Sequence, residues 1–129
     1  MSKKENIITG KLGESIATEY LRNNSYSILE TNFKCKIGEI DIIAKKEDRI
    51  IFIEVKTRTN DAFGLPREAV NLYKQKKIRL VAMSYLKMKR LYNSSCRFDV
   101  IEIINGEITH LENCFWLFMW WCDIEYYVI

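Results

Sequence analysis

The chain has 129 residues, room for one compact domain and its core but not for two. With 48% apolar and 29% charged residues it is composed like a folded globular protein, which excludes an intrinsically disordered one. A net charge of +3 is too small to demand a polyanionic partner, so any basic surface must come from local clustering. The four cysteines (Cys35, Cys96, Cys114, Cys122) form no C-x-x-C pair and His110 is the single histidine, so no zinc site is expected. The polar start, Met1 to Asn6, is followed by no apolar stretch of signal-peptide length. The expectation is a reducing, cytoplasmic setting with free thiols.

Lys11 to Arg22 places Leu12, Ile16, Ala17, Tyr20 and Leu21 at helical spacing. At about 100° per residue these share one side, Glu14 falls at the edge of the arc, and Ser15, Thr18, Glu19 and Arg22 lie opposite. Glu14 is then either an ordinary boundary residue or a carboxylate leaning over a sheet. Asn23-Asn24-Ser25 ends the helix, and Tyr26 to Phe33 reads as a first strand. Gly38 to Lys45 and Arg49 to Arg58 are two further strands joined by the charged turn Lys46-Glu47-Asp48. With period 2, Glu39, Asp41 and Ile43 share one face of the first, opposite Ile40, Ile42 and Ala44. In the second, Phe52, Glu54, Lys56 and Arg58 oppose Ile51, Ile53, Val55 and Thr57. Apolar residues in both rows predict a sheet covered on both sides.

Thr59 to Leu65 is a polar loop, and Pro66 suits the first turn of a helix running to about Lys89. Ala69, Tyr73, Leu80, Val81 and Tyr85 give that helix an apolar stripe, interrupted by Lys77, which is expected to snorkel. Four of the six residues from Lys74 to Arg79 are basic, and Lys87, Lys89 and Arg90 follow. Such a cluster is either a phosphate-binding surface or a solvated face. Arg97 to Ile104 is another strand, Asn105-Gly106 a hairpin signal, and Glu107 to Phe115 the returning partner. The predicted fold is α/β: one domain over residues 1–115 with a mixed central sheet flanked by helices.

The chemistry concentrates in Asp41 and in Glu54-Val55-Lys56. If the two strands pair as neighbours, two carboxylates and one ammonium meet in an otherwise apolar sheet, and burying charge is costly unless it is paired or bound to metal. A hard divalent cation on oxygen ligands is a natural partner, and phosphate chemistry a natural use. A lysine nearby can orient or deprotonate water, because its pKa shifts readily on partial burial. The structural alternative is a salt bridge from Lys56 to Asp41 or Glu54 and nothing more.

Several segments together carry a family likeness: Gly10-x-x-Gly13-Glu14 with Tyr20-Leu21, and Gly38-Glu39-Ile40-Asp41-Ile42-Ile43-Ala44. Phe52-Ile53-Glu54-Val55-Lys56-Thr57-Arg58, Phe63-Gly64-x-Pro66-x-Glu68-Ala69-Val70 and Arg97-Phe98-Asp99-Val100 complete the set. From about Gly10 to Phe115 the chain resembles the PD-(D/E)xK nuclease superfamily, and within it the YraN-like family of endonuclease-like proteins. The resemblance implies a restriction-endonuclease-like core, similar to that of archaeal-type Holliday junction resolvases. It implies Asp41 and Glu54 as ligands of Mg²⁺ or Mn²⁺, Glu14 as an additional or water-mediated ligand, and Lys56 as the catalytic lysine. Gln75 is expected as a polar helix residue near that site, Thr57 and Arg58 as phosphate contacts, and Lys74, Lys76 and Lys77 as nucleic-acid contacts.

The implied activity is a metal-dependent endonuclease acting on DNA, branched or otherwise structured DNA included, and a homodimer if junctions are cut symmetrically. The alternative is a non-catalytic nucleic-acid-binding protein of the same fold. The family usually ends near a segment matched here by His110-Leu111-Glu112-Asn113-Cys114-Phe115, whereas this chain continues through residues 116–129. The run Trp116 to Cys122 is too short to span a bilayer as a helix. An interfacial anchor, a dimer-forming strand, a cover for a sheet edge and an extension without a role all remain open for it.

Overall fold

A computed structural model describes residues 3–58 and 71–115. Helix α1 (Lys3–Asn23) is followed by strands β1 (Ser27–Lys34), β2 (Glu39–Lys46) and β3 (Arg49–Arg58). Helix α2 (Leu72–Met88) and strands β4 (Ser95–Ile104) and β5 (Glu107–Phe115) complete the order. The five strands lie in one sheet in sequence order, antiparallel except for β3 beside β4. That parallel pair is the one adjacent pair joined through a helix, as parallel strands require a crossover. The α/β architecture with a mixed, two-sided sheet is therefore as expected, and it is the arrangement of a restriction-endonuclease-like core.

Local chemistry sets the element ends. Helix α1 closes with Ser25 at φ 70°, the Tyr26 N–H on the Leu21 carbonyl at 3.0 Å and the Ser25 N–H on that of Arg22 at 3.2 Å. This is a Schellman closure, with Leu21 and Tyr26 buried together as its apolar contact. The β4–β5 hairpin turns on Asn105 and Gly106, both at positive φ, as a two-residue primed turn demands.

Each face of the sheet carries its own core. On one, Ile40, Ile43, Phe52, Phe98, Val100 and Phe115 pack against Ile78, Val81, Ala82, Tyr85 and Leu86 of α2. Phe98 stacks between Phe52 at 5.2 Å and Phe115 at 4.6 Å. On the other, Ile42, Ala44, Ile51, Ile53, Ile101 and Ile103 meet Ala17 and Leu21 of α1. Gly13 is buried there because α1 comes so close to β3 that a Cβ would overlap the Thr57 hydroxyl.

Three expectations need correction. On α1, Leu12 is 60% exposed while Thr18 is buried, its hydroxyl bonded to the Glu14 carbonyl at 2.7 Å. The buried arc runs through Gly13, Ala17 and Leu21 because close approach to β3 favours the small residues. On α2, Tyr73 is 69% and Leu80 41% exposed, and the buried stripe is Ile78, Val81, Ala82, Tyr85 and Leu86. That helix has apolar residues on two arcs, and contact with the sheet selects one. Lys77 is exposed, its ammonium 5.0 Å above the Tyr73 ring. Third, β2 does not alternate strictly, since Ile40 joins Ile43 on the α2 side and Ile42 joins Ala44 on the α1 side. The β2–β3 ladder stops at Ile42–Ile53, one residue before Asp41, and frees the backbone to turn.

The predicted start of the second helix at Pro66, the loop before it, Ala69 and the tail 116–129 lie outside the described residues. Within them α2 begins at Leu72, where extended Asn71 accepts the Lys74 N–H at 2.9 Å as N-cap. Among the described residues no helix is long and apolar enough to cross a membrane, and Cys35, Cys96 and Cys114 are unbridged.

Candidate functional site

Where the β2–β3 ladder ends, a side chain takes over from the main chain. Asp41 Oδ2 accepts the Val55 N–H at 2.8 Å, which fixes this carboxylate against β3 between Glu54 and Lys56 in sequence. Glu54 and Lys56 point to the α2 side as period 2 requires, with Lys56 Nζ 3.6 Å from Glu54 Oε1. From the first turn of α2, Lys74 reaches the same Glu54 oxygen at 2.5 Å. One carboxylate oxygen thus holds two ammonium groups.

The electrostatics are unbalanced at Asp41. Burial, then the neighbouring Glu54 charge, push its carboxyl up to about 7; the Val55 N–H and Lys74 pull the other way, and Glu14 adds to the rise. Glu14 is therefore near enough to act on Asp41 through space, as its place at the edge of the buried arc of α1 allows. Burial, and then the adjacent Lys74, lower the pKa of Lys56. Burial alone would lower Lys74 as well, but its bond to Glu54 outweighs this and holds it above the ordinary lysine value. Burial and the facing ammonium thus weigh against the Lys56 charge, while Glu54 favours that of Lys74.

The structure thus brings the expected Asp41, Glu54 and Lys56 together, with Glu14 acting on Asp41. Gln75 Oε1 accepts from Arg79 Nη2 at 3.3 Å along its own helix. Thr57 faces α1 against Gly13, on the opposite side of the sheet from Lys56. Arg58 is turned inward, its Nε 2.8 Å from Oε1 of Glu102. The N–H is not aligned on that oxygen, and Glu102, wholly buried, has neither oxygen in a regular hydrogen bond. Lys76 and Lys77 are exposed on α2, whereas Lys74 is committed to Glu54.

Two buried acids were missed. Glu102 pairs with Lys56 across β3–β4, a position adjoining the site. Asp99 lies on the α1 face, where Oδ1 accepts from Arg97 Nε at 2.9 Å and from the Asn113 N–H at 3.0 Å. Its Oδ2 meets Arg97 Nη2 at 2.8 Å and His110 Nε2 at 2.7 Å. His110 Nδ1 continues to the Tyr20 hydroxyl at 3.0 Å, and Arg97 to that of Tyr26 at 2.7 Å. The signal that singled out Asp41, an acid inside an Ile/Val-rich strand, was equally present in Asp99-Val100-Ile101-Glu102.

A sequence model of the uncharacterised protein family UPF0102 matches residues 13–103, a span that runs from the start of the buried α1 arc into β4. The chain belongs to this family. The match encloses Glu14, Asp41, Glu54, Lys56, Lys74 and Glu102 and leaves out His110. A UPF0102 protein of Clostridium beijerinckii is 49% identical over 119 residues, 88% of this chain and 97% of the relative. One from Caldanaerobacter subterraneus is 46% identical over 122 residues, covering 89% of this chain and all of the relative. Among solved structures, the "Crystal structure of SSO0001" aligns with a TM-score of 0.46 at 20% identity, over 84% of this chain and 52% of that one.

For a divalent cation the donor types of this UPF0102 site are suitable. Asp41, Glu54 and Glu14 offer hard carboxylate oxygens, Asp41 carries an excess of neighbouring negative charge, and Mg²⁺ needs few protein ligands beside water. The spacing as it stands is not that of a closed metal cage. Among the described residues no three His, Cys, Asp or Glu side chains are gathered closely enough to hold an ion. The residues fit the ion in kind, with Lys74 on one oxygen of Glu54.

Proposed function

We propose that this UPF0102 protein is a divalent-metal-dependent endonuclease of the PD-(D/E)xK type that hydrolyses phosphodiester bonds of DNA, branched or structured DNA included. The observation that carries the reading is the juxtaposition of half-buried, under-neutralised Asp41 with Glu54 and a Lys56 of lowered pKa. A carboxylate such as Asp41, which burial and like charge keep from ionising freely, is costly for stability and useful for chemistry.

Asp41 and Glu54 would hold Mg²⁺ or Mn²⁺, with Glu14 as a further or water-mediated ligand. When bound, such an ion lowers the pKa of a coordinated water and neutralises charge on the phosphate. Lys56, with its proton loosened by burial and by Lys74, is suited to orient the attacking water and accept a proton from it at Nζ. The Val55 N–H keeps one Asp41 oxygen directed along β3, which fixes the carboxylate plane before substrate arrives. Exposed Lys76 and Lys77 on α2 supply positive charge toward the DNA backbone, a contribution that weakens with salt and reads no sequence. Symmetric cutting of a junction would need a homodimer.

The test is cleavage of labelled duplex, single-stranded and four-way-junction DNA by the full chain with Mg²⁺ or Mn²⁺. Glu54→Ala and Lys56→Ala are each expected to reduce metal-dependent cutting by about 10³-fold or more. Salt-sensitive binding without cutting on every substrate, in wild type as in the variants, would favour the non-catalytic nucleic-acid-binding alternative.

A further inference from the structure

The Glu54 carboxylate, which would hold metal in the proposed nuclease, is already engaged by Lys74. Lys74 stands in the first turn of α2, close to the N-cap Asn71, where the helix dipole disfavours positive charge. No acidic residue occupies that turn to compensate. Its ammonium is held instead across the gap to β3, on Glu54 Oε1, which it shares with Lys56. Two cations on one carboxylate oxygen, one of them at the wrong end of a helix, is a poor arrangement for stability alone. The acids around it are the ones whose number and hardness suit a divalent ion, and among the described residues they are not closed up into a cage.

We infer that Lys74 is a displaceable stand-in for the divalent cation: it neutralises Glu54 in the metal-free protein and is driven off that oxygen when metal binds. The side chain is built for this movement. Its four-carbon stem is flexible and 34% of it is exposed, so the head can swing outward without opening the core. Once released, the ammonium lies at the mouth of the site, beside the N-terminus of α2, a region of positive potential suited to a phosphate. Metal entry and phosphate capture are thereby coupled, since the ion frees the lysine that the substrate needs. The two lysines would then divide the work, Lys56 beside the water and Lys74 toward the phosphate.

This inference rests on the metal-dependent reading of the site, and its test can fail separately from it. Mn²⁺ would be titrated calorimetrically into the full chain without nucleic acid, comparing wild type, Lys74→Met, Lys74→Gln and, as a control, Lys36→Met on an exposed loop. Removing the competing ammonium is expected to tighten Mn²⁺ binding roughly ten-fold in both Lys74 variants and not in the control. Unchanged or weaker binding in folded Lys74 variants overturns the inference and leaves the nuclease reading standing. Absence of Mn²⁺ binding in every chain overturns both, whereas tighter binding without any DNA cleavage supports the stand-in and counts against the nuclease. Wild type gives an independent readout that no variant's folding affects. The Lys74 Cε resonance is expected to shift as Mg²⁺ saturates the protein, and an unmoved resonance would overturn the displacement.

Discussion

Asp41, half-buried, and Asp99, fully buried, are both carboxylates of Ile/Val-rich strands, and the protein treats them in opposite ways. Asp99 is saturated, with Arg97, His110 and the Asn113 N–H covering both oxygens. Burial would raise its pKa, but those partners outweigh it and hold the carboxyl below the usual range. Asp41 has one backbone donor and acidic neighbours, and is driven up to about 7. The strand β5 even bulges to serve Asp99, with Asn113 at φ 55° between the Phe98–Phe115 and Val100–Leu111 pairs. A fully partnered acid is a brace; an acid left short of partners is the candidate for a ligand site.

The sharpest way to break this comparison is to remove the braced acid. Asp99→Ala leaves Arg97 without its main partner and His110 bonded only to Tyr20, and is expected to cost about 3–5 kcal/mol in chemical denaturation. Any cleavage by the molecules that remain folded should be unaffected. A loss below about 1 kcal/mol would mean that the network contributes little.

Asp41→Asn should do the reverse. A carboxyl whose folded pKa lies above its unfolded one destabilises the fold once pH exceeds the unfolded value, and the burden is complete above the folded value. In EDTA at pH 8 the substitution is expected to stabilise the fold by about 1–3 kcal/mol, a gain that shrinks from about pH 7 to pH 4 and then vanishes. Asp99 contributes with the opposite sign: its stabilisation is present above about pH 4 and is lost as pH falls through its depressed folded value. Unfolding midpoints of the variant and wild type across this range would separate the two. A destabilised Asp41→Asn at pH 8 would remove the argument that this acid is kept at a cost.

The smallest effect is expected at the outer end of the brace. Tyr20→Phe deletes the hydroxyl facing His110 Nδ1 and should cost about 1 kcal/mol, since the freed nitrogen is only partly desolvated. A cost near zero would show that the network ends at the histidine.

Of the site, Asp41, Glu54 and Lys56 were legible because strand alternation is a short-range rule and acids inside apolar strands are conspicuous. The rule failed where its premise failed: it assumes an unbroken ladder, and the β2–β3 ladder stops before Asp41. Lys74 was legible only as part of a basic cluster, because its bond to Glu54 depends on where α2 crosses the sheet. Arg58 was read as a phosphate contact, and its ion pair with Glu102 was not legible because that acid lies on a neighbouring strand 44 positions away in sequence.

The sequence alone determined the order of elements, the two-sided sheet, the Asn105-Gly106 hairpin and the side to which Glu54 and Lys56 point. Each follows from periodicity or turn chemistry within a few residues. Tertiary structure decided which arc of each helix is buried, which lysine meets Glu54, and which of two similar aspartates is saturated. Those outcomes depend on contacts between distant segments, and local propensity is nearly indifferent among them.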